Sequence, residues 1–191
     1  MKALILFGSP HNSGNTKTMV DTFIKNFNGQ CEIIDLYNNS IEPCIDCGGC
    51  KTNLGCVIKD EFNKLLSNQY DVLVIASPIY MSNLPAVFWS IINRTNFTFY
   101  NNTVLHQKLE IKEKIGIVLL CGGGYECKQL VERNNTYLPL KQCKYIFYKL
   151  NVQFKNKNYV YADKTNELLV KDNKEVLEKI KNIAKSLNFK T

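Results

Sequence analysis

The sequence predicts an α/β protein: a parallel β-sheet with helices on both faces. Three observations carry this expectation. Short, unbroken apolar runs (KALILF, DVLVIA and KIGIVLLC) read as strands buried on both faces. Between them, apolar residues recur at helical spacing. Each run also ends in a loop of turn formers (GSPHNSGNT, SPIYMSN and CGGG), so strand, loop and helix alternate along the chain.

The elements follow in order. Residues Lys2 to Phe7 form the first strand, ending at Gly8. From Thr16 onward, Met19, Val20, Phe23, Ile24 and Phe27 share one helical face. Cys31 to Leu36 is the second strand, and a cysteine-dense loop follows it. Phe62, Leu65 and Leu66 mark a short helix, with Asp60 and Glu61 at its positive end. Asp71 to Ala76 is the third strand, and Leu84, Val87, Phe88, Ile91 and Ile92 mark the next helix. Lys114 to Cys121 is the fourth strand, followed by Gly122, Gly123 and Gly124. A weaker helical stretch runs from about Glu126 to Tyr137, and residues 143–154 and 158–161 read as strand material. The Asn-rich stretches at 93–102 and 134–135 read as loops or helix ends. The last helix is amphipathic, with Val176, Leu177, Ile180, Ile183, Ala184 and Leu187 on one face. With no repeat, low-complexity tract or linker, residues 1–191 read as a single domain carrying a cysteine-rich loop at about 43–58.

Bulk composition narrows the function. The chain has 191 residues, 45% apolar and 21% charged, which fits one globular domain with a sizeable core. Apolar runs such as Ile117 to Cys121 fall far short of the ~20 residues of a membrane-spanning helix. The start, MKALILFGSP, lacks a cleavage site after an apolar stretch, so a cytoplasmic location is expected. In that reducing setting eight cysteines serve as thiols, metal ligands or redox groups rather than as a disulfide framework. The net charge of +7 lies in residues 141–191, with 12 Lys against 5 acids. Those lysines are scattered among acids and apolar residues without a single Arg, the pattern of a solvated surface rather than of a nucleic-acid face.

Ligands of open parallel sheets bind beyond the carboxyl ends of the strands, where strand order reverses. The loop after the first strand suits a phosphate. Gly8 and Gly14 permit tight turns, Ser9, Ser13, Asn15 and Thr16 offer side-chain donors, and the following helix offers free amides. It is neither a G-x-G-x-x-G fingerprint, since Pro10 stands where the second Gly belongs, nor a Walker A loop. No Lys or Arg lies within it. His11 is either a phosphate contact or an exposed turn residue, and a helix-capping turn that binds nothing is the plain alternative for the whole loop. After the third strand, Pro78 fixes a turn, and Ile79, Tyr80 and Met81 are placed to border a flat aromatic ligand. Gly122 and Gly123 let backbone approach a ligand closely.

Taken together, Gly8 to Thr16, Ser77 to Tyr80 and the 122–124 loop resemble the NAD(P)H-dependent FMN reductase branch of the flavodoxin-like superfamily. The resemblance covers nearly the whole chain. It implies a flavodoxin-like three-layer sandwich, with a five-stranded parallel sheet in order 2-1-3-4-5 and bound FMN. It assigns the phosphate to residues 9–16, the isoalloxazine to residues 78–81, and the ring's other flank to residues 122–124. NAD(P)H enters as co-substrate, and a homodimer or dimer of dimers is implied. Relatives often carry Asp-Arg at the end of the helix after the second loop. Here the pair is Asn93-Arg94, which leaves any salt bridge from that Asp in question.

The pattern C-x2-C-x2-C-x5-C, formed by Cys44, Cys47, Cys50 and Cys56, lies on the same rim. It resembles the motif of the iron–sulfur flavoproteins, which implies a [4Fe–4S] cluster. Four thiolates on short spacers suit such a cluster, and Gly48, Gly49 and Gly55 relieve crowding around sulfur. A tetrahedral zinc and an empty loop are the competing readings. Cys121 and Cys127 read as ordinary thiols, Cys31 and Cys143 as strand residues, and His106 as a surface residue.

Three function classes follow. The first is an NAD(P)H-driven FMN oxidoreductase passing electrons to a quinone, a flavin or another small acceptor. The second is an electron-transfer flavoprotein with FMN and [4Fe–4S], partnered by a redox protein. The third is a non-enzymatic module on the same fold. Because the flavin carries the chemistry, no catalytic acid or base is expected.

Overall fold

The computed structural model describes residues 1–38, 41–124 and 136–187. Five strands run β1 (Lys2–Phe7), β2 (Gln30–Asp35), β3 (Val72–Pro78), β4 (Lys114–Cys121) and β5 (Val152–Ala162). They form one sheet in the order β2-β1-β3-β4-β5, every pairing parallel. The helices are α1 (Asn15–Asn26), α2 (Phe62–Leu66), α3 (Val87–Arg94), α4 (Phe97–Thr103), α5 (Tyr137–Lys149) and α6 (Lys174–Leu187). This is the flavodoxin-like sandwich in the implied order.

Alternation along each central strand splits the core into two layers. Ala3, Ile5 and Phe7 of β1, with Val72, Val74 and Ala76 of β3, face Met19, Val20 and Phe23 of α1 and Ile180 and Ala184 of α6. Leu4, Leu6, Leu73 and Ile75 face Phe62, Phe88, Ile91, Phe97, Ile146 and Phe147 on the opposite side. The strands are buried on both faces, which is why they lack a polar alternation in the sequence.

Two readings of the sequence are corrected. Residues 143–149 belong to helix α5, not to a strand, and β5 is one strand from Val152 that includes 158–161. Pro139, Cys143, Ile146, Phe147 and Leu150 are buried at helical spacing, and that period outweighs the aromatic, strand-like composition. Cys143 is accordingly a helix residue. Within the Asn-rich 93–102 stretch, Phe97 starts a further helix, α4, with Phe97 and Asn101 buried. The helical stretch expected at about 126–137 lies largely outside the described residues, as do Cys127 and the 134–135 Asn pair; its last residue, Tyr137, opens α5.

Candidate functional site

In the order β2-β1-β3-β4-β5 the strand order reverses between β1 and β3, so their carboxyl ends mark the switch point. There the Gly8 amide donates to Ala76 O at 2.9 Å, stitching the first loop to β3. A Cβ on Gly8 would meet Phe88 Cε2 at 2.1 Å, so only glycine lets the loop lie this close to α3. The loop then enters α1 through Gly14, at φ 120°. No side chain caps α1 and its first turn holds no acidic residue, so the leading amides and the positive end of the helix dipole face the rim.

The five polar residues expected on this loop divide into two groups. Asn15 and Thr16 hold the scaffold: Asn15 Oδ1 accepts from the Val170 amide at 2.8 Å, and Thr16 Oγ1 lies 3.1 Å from Cys121 Sγ. Ser9 is buried and its Oγ accepts from the His11 amide at 3.2 Å, shaping the turn. His11 and Ser13 are exposed on the rim. Lys17 pairs with Asp21. The donors open to a phosphate therefore include backbone amides, Ser13, His11 and the Asn15 Nδ2 amide, which the Val170 contact leaves unused.

The loops after β3 and β4 close against each other. The Ile79 amide donates to Cys121 O at 2.8 Å, and the Gly122 amide to Ala162 O at 3.0 Å. Tyr80 and Asn83 exchange backbone hydrogen bonds at 3.0 and 2.9 Å around a two-residue turn. Its central residues, Met81 and Ser82, take φ of 48° and 60°, a conformation that side chains resist. That turn thrusts Met81 into solvent, 93% exposed, with Tyr80 half-exposed beside it. Burial, then the nearby Tyr37 and Cys121, push the Tyr80 hydroxyl above its ordinary pKa. Tyr37, just past β2, thus joins the rim, a residue that sequence reasoning had not selected. Gly122 and Gly123 need their lack of a side chain, since a Cβ would lie 2.9 Å from Tyr161 Oη and 2.4 Å from Asn166 Nδ2 respectively. Burial pushes the Cys121 thiol up to about 11, against a smaller opposing effect from the Thr16 hydrogen bond, so it is neutral at physiological pH.

Beside this rim, Cys44, Cys47, Cys50 and Cys56 line one narrow hollow together with Arg94 and Phe97. Cys44 and Cys47 are exposed; Cys50 and Cys56 are half-buried. Burial raises the Cys50 pKa, against an opposing backbone hydrogen bond, and the other three sulfurs add to the rise. Among the described residues, no three His, Cys, Asp or Glu side chains converge as a single metal ion would require. The four sulfurs border one shared hollow, Cys44 and Cys47 on its exposed side and Cys50 and Cys56 on its inner side.

Two buried side chains hold this loop. Arg94 Nε donates to Cys56 Sγ at 2.9 Å. One terminal nitrogen donates to Glu42 O and Asp60 Oδ2, the other to Ile58 O and Asp60 Oδ1, at 2.8–3.2 Å. All five guanidinium N–H groups are engaged. Asn101 Nδ2 donates to Cys50 O and Asn53 O, both at 2.9 Å, and its Oδ1 accepts from the Gly55 amide at 2.7 Å. Asp60 accepts as well from the amides of Glu42 and Phe62. Burial opposes its ionisation, yet the Arg94 guanidinium and those amides hold the carboxyl below its usual range. Arg94 therefore finds its acid at position 60 rather than at the preceding residue. Asn101 and Asp60 had not been singled out as holders of the loop.

Sheet order and the uncapped helix at the switch point define a flavodoxin-like protein. The chain belongs to the family described as NADPH-dependent FMN reductase, whose match covers residues 1–138. Among curated proteins it is 32% identical over 99 residues to an iron-sulfur flavoprotein of Archaeoglobus fulgidus, spanning 49% of this chain and 45% of that one. It is 27% identical over 128 residues to an iron-sulfur flavoprotein of Methanosarcina thermophila, spanning 64% of each chain. These matches span about half to two-thirds of the relatives' length. Among solved structures, the NAD(P)H:quinone oxidoreductase from Methanothermobacter marburgensis superposes with a TM-score of 0.71 at 14% identity, covering 100% of this chain and 98% of that one.

Proposed function

We propose that the protein is an FMN-dependent oxidoreductase, reduced by NAD(P)H and passing electrons to a quinone, a flavin or another small acceptor. The single observation behind this reading is the uncapped start of α1 at the β1/β3 switch point, flanked by the Tyr80 turn and the Gly122 loop. Family membership supports FMN as the cofactor.

Each rim element has a task. The amides leading α1, with Ser13 and His11, bind the phosphate through neutral donors and the helix dipole. Gly8 keeps the backbone low enough for close approach. Pro78, Ile79, Tyr80 and Met81 border the isoalloxazine on one side, and Gly122 and Gly123 border it on the other. Ser9, Asn15 and Thr16 keep these segments in place. Bound there, the flavin supplies hydride acceptance and onward electron donation, and the chain orients it. No acid or base of the protein is needed.

A second reading adds a [4Fe–4S] cluster on Cys44, Cys47, Cys50 and Cys56, for electron exchange with a redox protein. It rests on the shared hollow that the four sulfurs line and on the iron-sulfur flavoproteins the chain resembles. We place the protein in the cytoplasm as a homodimer or dimer of dimers, with no membrane or nucleic-acid partner. The free state of all seven described cysteines fits that compartment. Among the described residues, no helix is long and apolar enough to cross a membrane.

Anaerobic stopped-flow mixing with NADH and NADPH separates the readings. Rapid bleaching of the flavin absorbance by either nucleotide is expected. Flavin that binds but stays oxidised for minutes with both nucleotides overturns the NAD(P)H-driven reading and favours reduction by a partner protein.

A further inference from the structure

Arg94 does more than anchor the cysteine loop: its Nε–H points at a sulfur. We propose that Arg94 is a positioning residue that raises the reduction potential of a cluster held by the four cysteines, and that Asp60 restrains it. The inference rests on the cluster reading above and goes beyond it by assigning two residues that are not ligands.

Four observations lead there. Arg94 is 1% exposed and carries the one buried guanidinium among the described residues. Its Nε–H meets Cys56 Sγ at 2.9 Å. Its other four N–H groups are fixed by Asp60, Glu42 O and Ile58 O, so the group cannot turn away from the sulfur. Its guanidinium carbon sits over the ring of the buried Phe62, 4.6 Å from the ring centroid. A cluster gaining one electron becomes one unit more negative, and an N–H aimed at a ligand sulfur stabilises that state, raising the potential. The bidentate Asp60 carboxylate, 2.8 Å away and with an 11% exposed side chain, neutralises the guanidinium's net charge. Two effects of opposite sign therefore act on one sulfur: a hydrogen bond from Arg94 and a carboxylate held behind it.

The test measures the midpoint potential of the reconstituted cluster by EPR-monitored titration, with the FMN potential in the same sample as internal control. Arg94→Gln removes the N–H donor and leaves Asp60 unpaired, so the cluster potential falls. A roughly tenfold shift in the one-electron equilibrium corresponds to about 59 mV. Arg94→Lys keeps the charge but loses the planar fork, and shifts the potential less in the same direction. Asp60→Asn leaves the guanidinium uncompensated and raises the potential. FMN binding and the FMN potential stay unchanged in all three.

Opposite signs for Arg94→Gln and Asp60→Asn support the proposal, because a merely structural pair would loosen the loop alike in both. Shifts of the same sign, or none, overturn it. So does loss of iron from all three variants with FMN retained, which makes the pair structural only. A wild-type protein that binds FMN but takes up no iron and sulfide under anaerobic reconstitution overturns the cluster reading beneath it, and leaves the FMN oxidoreductase standing.

Discussion

Arg94 occupies a core position, three residues after Ile91 and six after Phe88 on the buried face of α3. A cation there is a readable sign that something polar waits inside, yet the sequence alone does not say that the partner is Asp60, 34 residues earlier. Gly8 was legible as a loop glycine, but the reason for it was not, because the ring it abuts belongs to a different helix. Gly8→Ala is predicted to destabilise the fold by about 1–3 kcal/mol through overpacking against Phe88, and to weaken FMN binding at least tenfold. Urea unfolding and flavin titration check the two effects. Lys114 opens β4 far from the rim, 1% exposed, with its Nζ 3.3 Å from Lys112 O and stacked over Tyr70. Burial, assisted by Lys112, lowers its pKa to about 8. Below pH 8 the folded state holds a charged, poorly solvated ammonium. Between pH 8 and the ordinary value of 10.5 the unfolded state binds the extra proton, so wild-type stability rises with pH there. Lys114→Met is predicted to stabilise the protein at pH 7 by about 1–2 kcal/mol, with a gain that shrinks above pH 8. Denaturant midpoints of both proteins at pH 7 and 10 measure it.

Among the elements, the cysteine loop holds its shape through side chains from α3 and α4 rather than through secondary structure of its own. Asn101→Ala strands the Gly55 amide and the carbonyls of Cys50 and Asn53, at a cost of about 1–3 kcal/mol. The predicted signature is local: faster hydrogen exchange at the Gly55 amide, with exchange in β1 and β3 unchanged. Asp60 adds a pH dependence. Its folded pKa lies below its ordinary value, so its stabilisation is present above about pH 4 and is lost as pH falls through the lower, folded value. Stability measured from pH 5 to pH 2 should decline in the wild type, and less steeply in Asp60→Asn. The Tyr80–Asn83 turn stores strain at Met81 and Ser82. Ser82→Gly is predicted to stabilise the protein by about 1 kcal/mol, read as a rise in Tm, with FMN affinity unchanged. Helix α5 shows why an element can be misread. Its Tyr, Phe and Ile content favours a strand, while Cys143, Ile146, Phe147 and Leu150 keep a helical period that the tertiary packing enforces.

Across the whole molecule, the strands were legible because central parallel strands must be apolar on both faces, and KALILF, DVLVIA and KIGIVLLC are. The order β2-β1-β3-β4-β5 was not in those runs; it came with the resemblance carried by the rim loops. The rim loops themselves stood out by their Gly, Ser, Asn and Pro content. Their division of labour did not, because Asn15 binding Val170 and Thr16 binding Cys121 are contacts across more than 100 residues of sequence. The account stands on a helix start that holds a phosphate with neutral donors, since Lys17 is engaged with Asp21 and no Arg or Lys lies within the loop. Such a cradle should bind with little sensitivity to salt, unlike one built on surface cations. The most direct test is fluorescence titration of the apoprotein at pH 8 with FMN and with riboflavin, at 0.05 and 0.5 M salt. The account predicts micromolar binding of FMN, at least tenfold weaker binding of riboflavin, and less than a threefold change for FMN between the two salts. Riboflavin binding as tightly as FMN, or no quenching by FMN at micromolar protein, would contradict it.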